Sequence, residues 1–573
     1  MRIIIIQNKI QFNKYISSYH SLDDTVICFD PVSKLLADKK KIKNIFYNDF
    51  VKENEINIKI DELDSRIDNL VNSLNKYSSK IFKDFKINIG SYFRFGLHQM
   101  VGQVWYNYYI LESITKKFPK NEIIIFSGNK IKLFYEFRPN PDSLLSMVFS
   151  NSKLSQRKHR IIYVKNFINK QINYKVILKS LLGSKLINLV KDYKYILNSV
   201  KYIFNKRKKL LLLGGEYEWK QLSSFNEFKR DWKIRFKTYP EKINYKTKDK
   251  KILELLNESI SIDGLPLYDL KIYAEILAST QKYFEKNYLR YRNLISNCDG
   301  IIASVFVEAE HNYLAHIAKS LSKKVIVWQH GEQGLWSDKT SDFCEVMFTD
   351  YYLYYGKNTR EKYIHYKEKG LLKKIEEVGS LKSRIEVKYK QKIIYVTAKW
   401  IKNICPFDDM INADSHLLKS QKTLIPYLDK ISNKHDVIIK KNNTQDQNYS
   451  ELAVYPKNDI VEDSRSFLEL ISSARLIIID SPSTTALEAA STRAPMFVVN
   501  GRVKLNLKAL TLLRKRAVVR DSPEELIEEI NKFLDNGHYD SDINNNEFCL
   551  AYSCDISKNA VKANVLGFLN EVL

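Results

Sequence analysis

The stretch LIIIDSPSTTALEAASTRAP, Leu476 to Pro495, ends an apolar run at a carboxylate and follows it at once with Ser481, Pro482, Ser483, Thr484 and Thr485. Small hydroxyls bring donors without bulk, and Ser481-Pro482 ahead of an alanine-rich segment reads as the cap and first position of a helix. Backbone N–H groups at such a start have no partner inside the helix and favour anions, so Ser483, Thr484 and Thr485 are candidates for holding a phosphate. Glu488 lies about one turn further on, where it can accept from sugar hydroxyls. The competing account is an ordinary capped helix whose serines satisfy only their own backbone, and the residues alone leave both open.

A second element, VIVWQHGEQGLW (325–336), also leaves a buried strand and supplies His330, Gly331, Glu332 and Gly334 in a loop. Glycines let backbone approach a ligand, and His330 can donate to a phosphate or transfer a proton. Two further strand ends offer Thr397 and Lys399 in VTAKW, and Lys440 and Lys441 in DVIIKKNNTQ. Candidates for a general base are Glu216 and Glu218 in LLLLGGEYEWK, with Glu216 first because it follows a strand and a glycine pair. Glu308, Glu310 and His311 in SVFVEAEHN and the glycine-flanked His98 in FRFGLHQMVGQ are also available. A surface, capping or structural role competes at every one of these positions.

Together, HG closing one series of strands and DSPSTTALEA with a following AP in the next resemble nucleotide-sugar transferases of the GT-B fold. The similar families build bacterial surface carbohydrate: teichoic-acid glycerophosphotransferases, polysialyltransferases and capsule Kdo transferases. In them a D-x-S-S/T-x-x-x-E-A segment holds the donor's phosphate and ribose. The resemblance therefore implies donor contacts from Gly331, Thr397, Lys441, Ser483, Thr484, Thr485 and Glu488. It further implies catalytic roles for His330 and Glu216, with His98 and Glu310 on the acceptor side. It covers mainly 299–340 and 392–500. One departure is plain: several of these families carry Lys-x-His-Pro after the preceding strand, whereas DVIIKKNNTQ has lysines and no His-Pro.

These residues need elements to position them. Strand-like runs recur at 2–6, 25–29, 121–128, 209–215, 299–304 and 324–331, and again at 392–400, 435–441, 474–481 and 494–501, with amphipathic stretches between. Continuous apolar strands alternating with helices predict parallel sheets covered on both faces. The fold class expected is α/β, two doubly wound Rossmann-like domains of GT-B type: an acceptor-side domain over 1–385 and a nucleotide-sugar domain over 386–573. A basic helical insertion is expected at about 151–208. Residues 151–210 hold sixteen Lys/Arg against the single acid Asp192, +15 of the chain's +26. A helical pack, a lid and a surface for anionic membrane all fit that window.

Composition sets the remaining limits. A chain of 573 residues, 44% hydrophobic with 36 tyrosines, packs more than one core. Six scattered cysteines with no CxxC pair suggest reduced thiols and no zinc site. The opening MRIIIIQNK is too short an apolar run for a signal peptide, and no run approaches a membrane span. The expected activity is glycosyl transfer from a nucleotide sugar to an oligosaccharide or lipid-linked acceptor, at the cytoplasmic face of an anionic membrane. No cofactor and no metal are expected, since no Asp-x-Asp step stands at a strand end. A nucleotide-sugar 2-epimerase of the same architecture is the alternative. Nucleic-acid binding rests on charge alone and is not expected as a partnership.

Overall fold

The structure, a computed structural model, describes residues 1–128, 133–134, 138–139, 141–150, 152–164, 207–214, 217–237, 247–260, 270–331, 334–335, 344–382, 387, 391–398, 400, 413–441, 452–462, 464–501, 503, 505–554 and 556–573. Among them three larger sheets form, all of parallel strands. The first contains β1 (Arg2–Ile6), β2 (Thr25–Cys28), β3 (Asn44–Phe46) and β4 (Glu122–Gly128). After a hairpin of β5 (Leu133–Phe134) and β6 (Arg138–Pro139), β7 (His159–Val164) completes the order β3-β2-β1-β4-β7. The second contains β8 (Lys208–Leu213), β9 (Trp232–Lys237), β10 (Gly300–Ala303), β11 (Lys324–Trp328), β12 (Tyr351–Tyr354) and β13 (Lys374–Glu377), in the order β13-β12-β11-β10-β8-β9. The third contains β14 (Lys392–Val396), β15 (Asp436–Lys440), β16 (Val461–Glu462), β17 (Ala474–Ile479), β18 (Met496–Val499) and β19 (Val518–Arg520), in the order β16-β15-β14-β17-β18-β19.

The strands are apolar on both faces because both faces are covered. In β8, Leu210 and Leu212 join one apolar cluster while Leu211 and Leu213 join another on the opposite side. In β17 the same alternation sends Ile477 and Ile479 to one cluster and Leu476 and Ile478 to the other. At roughly 25 cal/mol per Å² of apolar surface removed from water, this burial is the main term holding each sheet to its helices.

The second and third sheets are the two Rossmann-like lobes of the GT-B arrangement. Numbered within its own lobe, the third runs 3-2-1-4-5-6 and the second 2-1-3-4-5-6, both doubly wound. The first sheet is a further doubly wound unit, so residues 1–385 carry two sheets where the strand series suggested one. Hydrophobic pattern reports that a strand is buried on both sides; it does not report which sheet the strand joins. The helical insertion was expected at about 151–208; where that window is described it holds a short 3-10 turn (Lys153–Gln156), the strand β7 and the start of β8, so its ends belong to the two sheets, and residues 165–206 lie outside the described residues.

Two connections fix the lobes. The helix Lys558–Val572, after the third sheet in the chain, returns to the second, where Val561, Val565, Phe568 and Leu569 pack with Leu210, Leu212, Ile302 and Ile326. The first sheet's unit touches the other two. Asn312 Nδ2 donates to the Tyr92 carbonyl at 2.8 Å, Lys422 Nζ lies 2.8 Å from Asp38, and Trp400, Leu417 and Leu418 share the first sheet's apolar cluster.

Candidate functional site

In doubly wound sheets ligands lie beyond the carboxyl ends of the strands, where the strand order changes direction. In the third sheet that point falls between β14 and β17. Asp480, the residue after β17, is buried there; its carboxylate accepts from the Ala398 N–H at 2.7 Å and the Tyr395 hydroxyl at 3.0 Å. This carboxylate ties the ends of the two strands together, and burial beside it pushes the Tyr395 hydroxyl far above its usual range.

The helix that follows runs Thr484–Ala490, with Ser483 rather than Ser481 at the N-cap position and no capping bond from its side chain. Ser481 and Pro482 stay buried in the exit turn that Asp480 anchors, which delays the helix. Ser483 Oγ lies 3.1 Å from Thr485 Oγ1, and residues 483–485 are half-buried. Their hydroxyls thus stand at the surface of the crevice.

The second sheet contributes the turn after β11. Gln329 is buried and pins it, accepting from the Tyr355 N–H at 2.9 Å and donating to the Gly331 carbonyl at 3.0 Å. The His330 N–H donates to Glu345 at 3.2 Å, while His330 itself is exposed. Glu345 is fully buried and also accepts from the Tyr352 hydroxyl at 2.7 Å and from that of Tyr363. Burial pushes its carboxyl up to about 7, although the two tyrosines and the His330 N–H pull the other way.

The two turns meet. Gly331 has φ +57°, and a Cβ built on it would stand 2.5 Å from Thr484 Oγ1. A side chain there would be strained and would collide with the third lobe, so glycine permits the contact. Just beyond, Asn506 of the third lobe donates from its backbone N–H to the Leu335 carbonyl at 2.9 Å. His330, Gly331, Ser483, Thr484 and Thr485 therefore belong to one place.

Glu488 is buried within about a turn of them, its carboxylate 2.9 Å from Lys382 Nζ. Thr397 is buried after β14, with its N–H donating to the Lys440 carbonyl at 3.1 Å. Lys440 Nζ approaches the Glu462 carbonyl at 3.5 Å, and Lys441 is half-buried at the end of β15.

The acceptor-side candidates lie in the helical layer. His98 pairs with Asp64 at 3.2 Å, and Glu310 is buried and accepts from the Tyr291 hydroxyl. Glu218 is buried too, taking bonds from Tyr355, Ser380 and the Leu381 N–H. Glu216 and Lys399 lie outside the described residues. Among the described residues no cluster of His, Cys, Asp or Glu suits a metal ion, and no helix is long and apolar enough to cross a membrane. Sequence reasoning missed Glu345 and Lys382. A glutamate fifteen residues past His330, or a lysine in a polar linker, carries no local signal; only the folded turn brings either to the crevice.

Solved structures resemble part of the chain. A putative UDP-N-acetylglucosamine 2-epimerase from Listeria monocytogenes is 12% identical with a TM-score of 0.41, over 64% of this chain and 98% of its own. MurG of Acinetobacter baumannii is 13% identical with a TM-score of 0.35, over 64% of this chain and 100% of its own. The glycosyltransferase SnogD of Streptomyces nogalater is 10% identical with a TM-score of 0.33, over the same shares. No curated protein sequence matches. A model of the LIC12162 family of transferases matches residues 90–536, which span the second lobe, most of the third and the convergent turns between them. The chain belongs to the LIC12162 transferase family.

Proposed function

We propose that this transferase moves a sugar from a nucleotide-activated donor to a hydroxyl of an oligosaccharide or lipid-linked acceptor. The reading rests chiefly on the contact between Gly331 and Thr484, which joins the strand-end turns of two facing doubly wound lobes in one crevice. In this reading the half-buried hydroxyls of Ser483, Thr484 and Thr485 hold the donor's phosphates, and Glu488 faces the ribose. Thr397 and Lys441 flank the same pocket. The imidazole of the exposed His330, on a backbone fixed by Glu345, donates to the phosphate as it leaves. Glu216 remains the proposed base. The +15 charge of 151–210 favours an anionic membrane surface as the place where a lipid-linked acceptor is met.

The test is nucleotide binding. CMP, CDP, UDP and GDP are titrated in a thermal-shift series, because a ligand that binds only the folded state raises Tm with its concentration over Kd. Ser483→Ala with Thr484→Ala is expected to keep the fold and lose affinity, each lost charge-assisted bond costing on the order of 1.5–3 kcal/mol. Unchanged binding in the folded double variant would remove the phosphate role. Isomerisation of a nucleotide sugar without any acceptor would replace transfer by epimerisation.

A further inference from the structure

Lys382 stands where three elements meet. Its Nζ lies 2.9 Å from Glu488 Oε1 on the third lobe and 4.4 Å from the ring centroid of Tyr217, which follows β8 of the second. The Lys382 side chain keeps 22% of its exposure, whereas that of Glu488 keeps 8%. The lysine is therefore the half of the pair that solvent, or a ligand, can still reach.

Its backbone is held independently of that pair. Glu218, buried, accepts from the Ser380 hydroxyl at 2.9 Å and the Leu381 N–H at 3.1 Å, and the Lys382 N–H donates to Ser380 Oγ at 3.1 Å. A carboxylate is thus buried, at a cost in desolvation, to fix the turn from which Lys382 projects. The side chain swings on four carbons from a fixed root. Glu488 lies four residues beyond Thr484 on the same helix, about 6 Å along its axis at 1.5 Å per residue, a distance such a side chain spans without backbone movement. The neighbouring strand offers less: Lys440 is buried and directed at the Glu462 carbonyl.

Resting on the donor-pocket reading above, we propose that Lys382 is a cation that this pocket presents to a nucleoside diphosphate. On binding, the ammonium exchanges Glu488 for the phosphoryl oxygens while the Glu218-anchored turn stays in place. The Tyr217 face keeps the charge partly desolvated, which strengthens its attraction to phosphate. No bond is made or broken; one ion pair is traded for another.

Isothermal titration of UDP, CDP and GDP, each against its nucleoside, tests this on wild type and on Lys382→Met, Lys382→Arg and the Ser483→Ala/Thr484→Ala double variant. Lys382→Met is expected to weaken diphosphate binding on the order of 10- to 100-fold and leave the nucleoside unchanged; Lys382→Arg should restore most of the loss. Should Lys382→Met lose its fold, Lys382→Gln carries the test through its ratio of diphosphate to nucleoside affinity, expected to fall on the order of 10- to 100-fold; an unchanged ratio would overturn the role of Lys382. Diphosphate binding that falls in the double variant but not in Lys382→Met would overturn the role of Lys382 and leave the pocket standing. Lys382→Arg binding no better than Lys382→Met would also overturn it. No binding of any diphosphate by wild type would remove the pocket, and this inference with it.

Discussion

The turns that meet at Gly331 and Thr484 are held by the same device built in two ways. Each exit from a buried strand is fastened by a buried carboxylate that accepts from a backbone N–H and from tyrosine hydroxyl. On the third lobe the carboxylate is Asp480, the next residue after its own strand, and its partners sit across the switch point at β14. On the second lobe it is Glu345, which reaches back to His330 and also takes Tyr352 and Tyr363. The first carboxylate directly follows its strand but takes both partners from 82 and 85 residues back; the second stands apart from its strand yet takes its three partners from within 18 residues. A carboxylate at the end of its own strand shows in sequence even when its partners do not, whereas one fifteen residues past the turn that it holds shows only in the fold.

Removing Glu345, the anchor with three donors, should have the largest effect. Glu345→Ala strands two tyrosine hydroxyls in a dry interior and unties the part-buried His330 N–H, at about 1–3 kcal/mol for each buried unpaired group, so a loss of about 3–5 kcal/mol in denaturant unfolding is expected. A loss under about 1 kcal/mol would mean that the three donors find other partners. Glu345→Gln probes the charge separately. The folded carboxyl titrates at about 7 against 4.5 for an ordinary glutamate, so it binds its proton more tightly folded than unfolded. Its contribution to stability is complete below about pH 4.5 and is lost as pH rises through about 7. Wild type should therefore lose stability across that interval relative to Glu345→Gln, and parallel pH profiles would assign the dependence to another group.

Next comes the residue that this anchor positions. His330→Ala should leave the unfolding free energy nearly unchanged, since the residue is exposed, yet lower kcat about 100-fold if the imidazole meets the departing phosphate. Full turnover would make the turn a spacer between lobes and nothing more. The smallest effect is expected at the contact itself. Gly331→Ala forces a side chain into left-handed backbone and against Thr484 Oγ1, costing about 1–2 kcal/mol. Adding Thr484→Ala should recover the steric part, so the two changes combine to less than their sum. Strict additivity would show that the turns do not press on each other in solution.

The difference between the turns also explains what could be foreseen. The strands with their isoleucine and leucine runs were legible because covering both faces demands it, and the DSPSTT knot was legible because its physics is local. The first sheet as a separate unit was not: Ile3 to Ile6 and Leu210 to Leu213 have the same pattern and differ only in which strands they pair with. Ser481 looked like a cap because Ser-Pro favours one; the tertiary anchor on Asp480 moved the start of the helix to Thr484. Glu218 looked chemical beside its glycine pair, and folding turns it inward to hold Ser380 and Leu381. Lys382 was invisible because a lysine in a polar linker says nothing until the linker bends back on Glu488.

The helix Lys558–Val572 also sets a schedule. The face of the second sheet that carries Leu210, Leu212, Ile302 and Ile326 is closed by residues the ribosome adds only after the whole third sheet has been made. Until then that face lacks part of its cover, so a nascent chain holds several finished strands with an open apolar side. Closing it spans a long stretch of chain, which slows the step and exposes sticky surface meanwhile. The third sheet has all its strands in hand by Arg520, but one of its faces is covered by Phe548, Cys549, Ala551 and Tyr552, made only shortly before the returning helix. Both lobes thus close late and nearly together, and the crevice between them acquires its final shape when the returning helix docks.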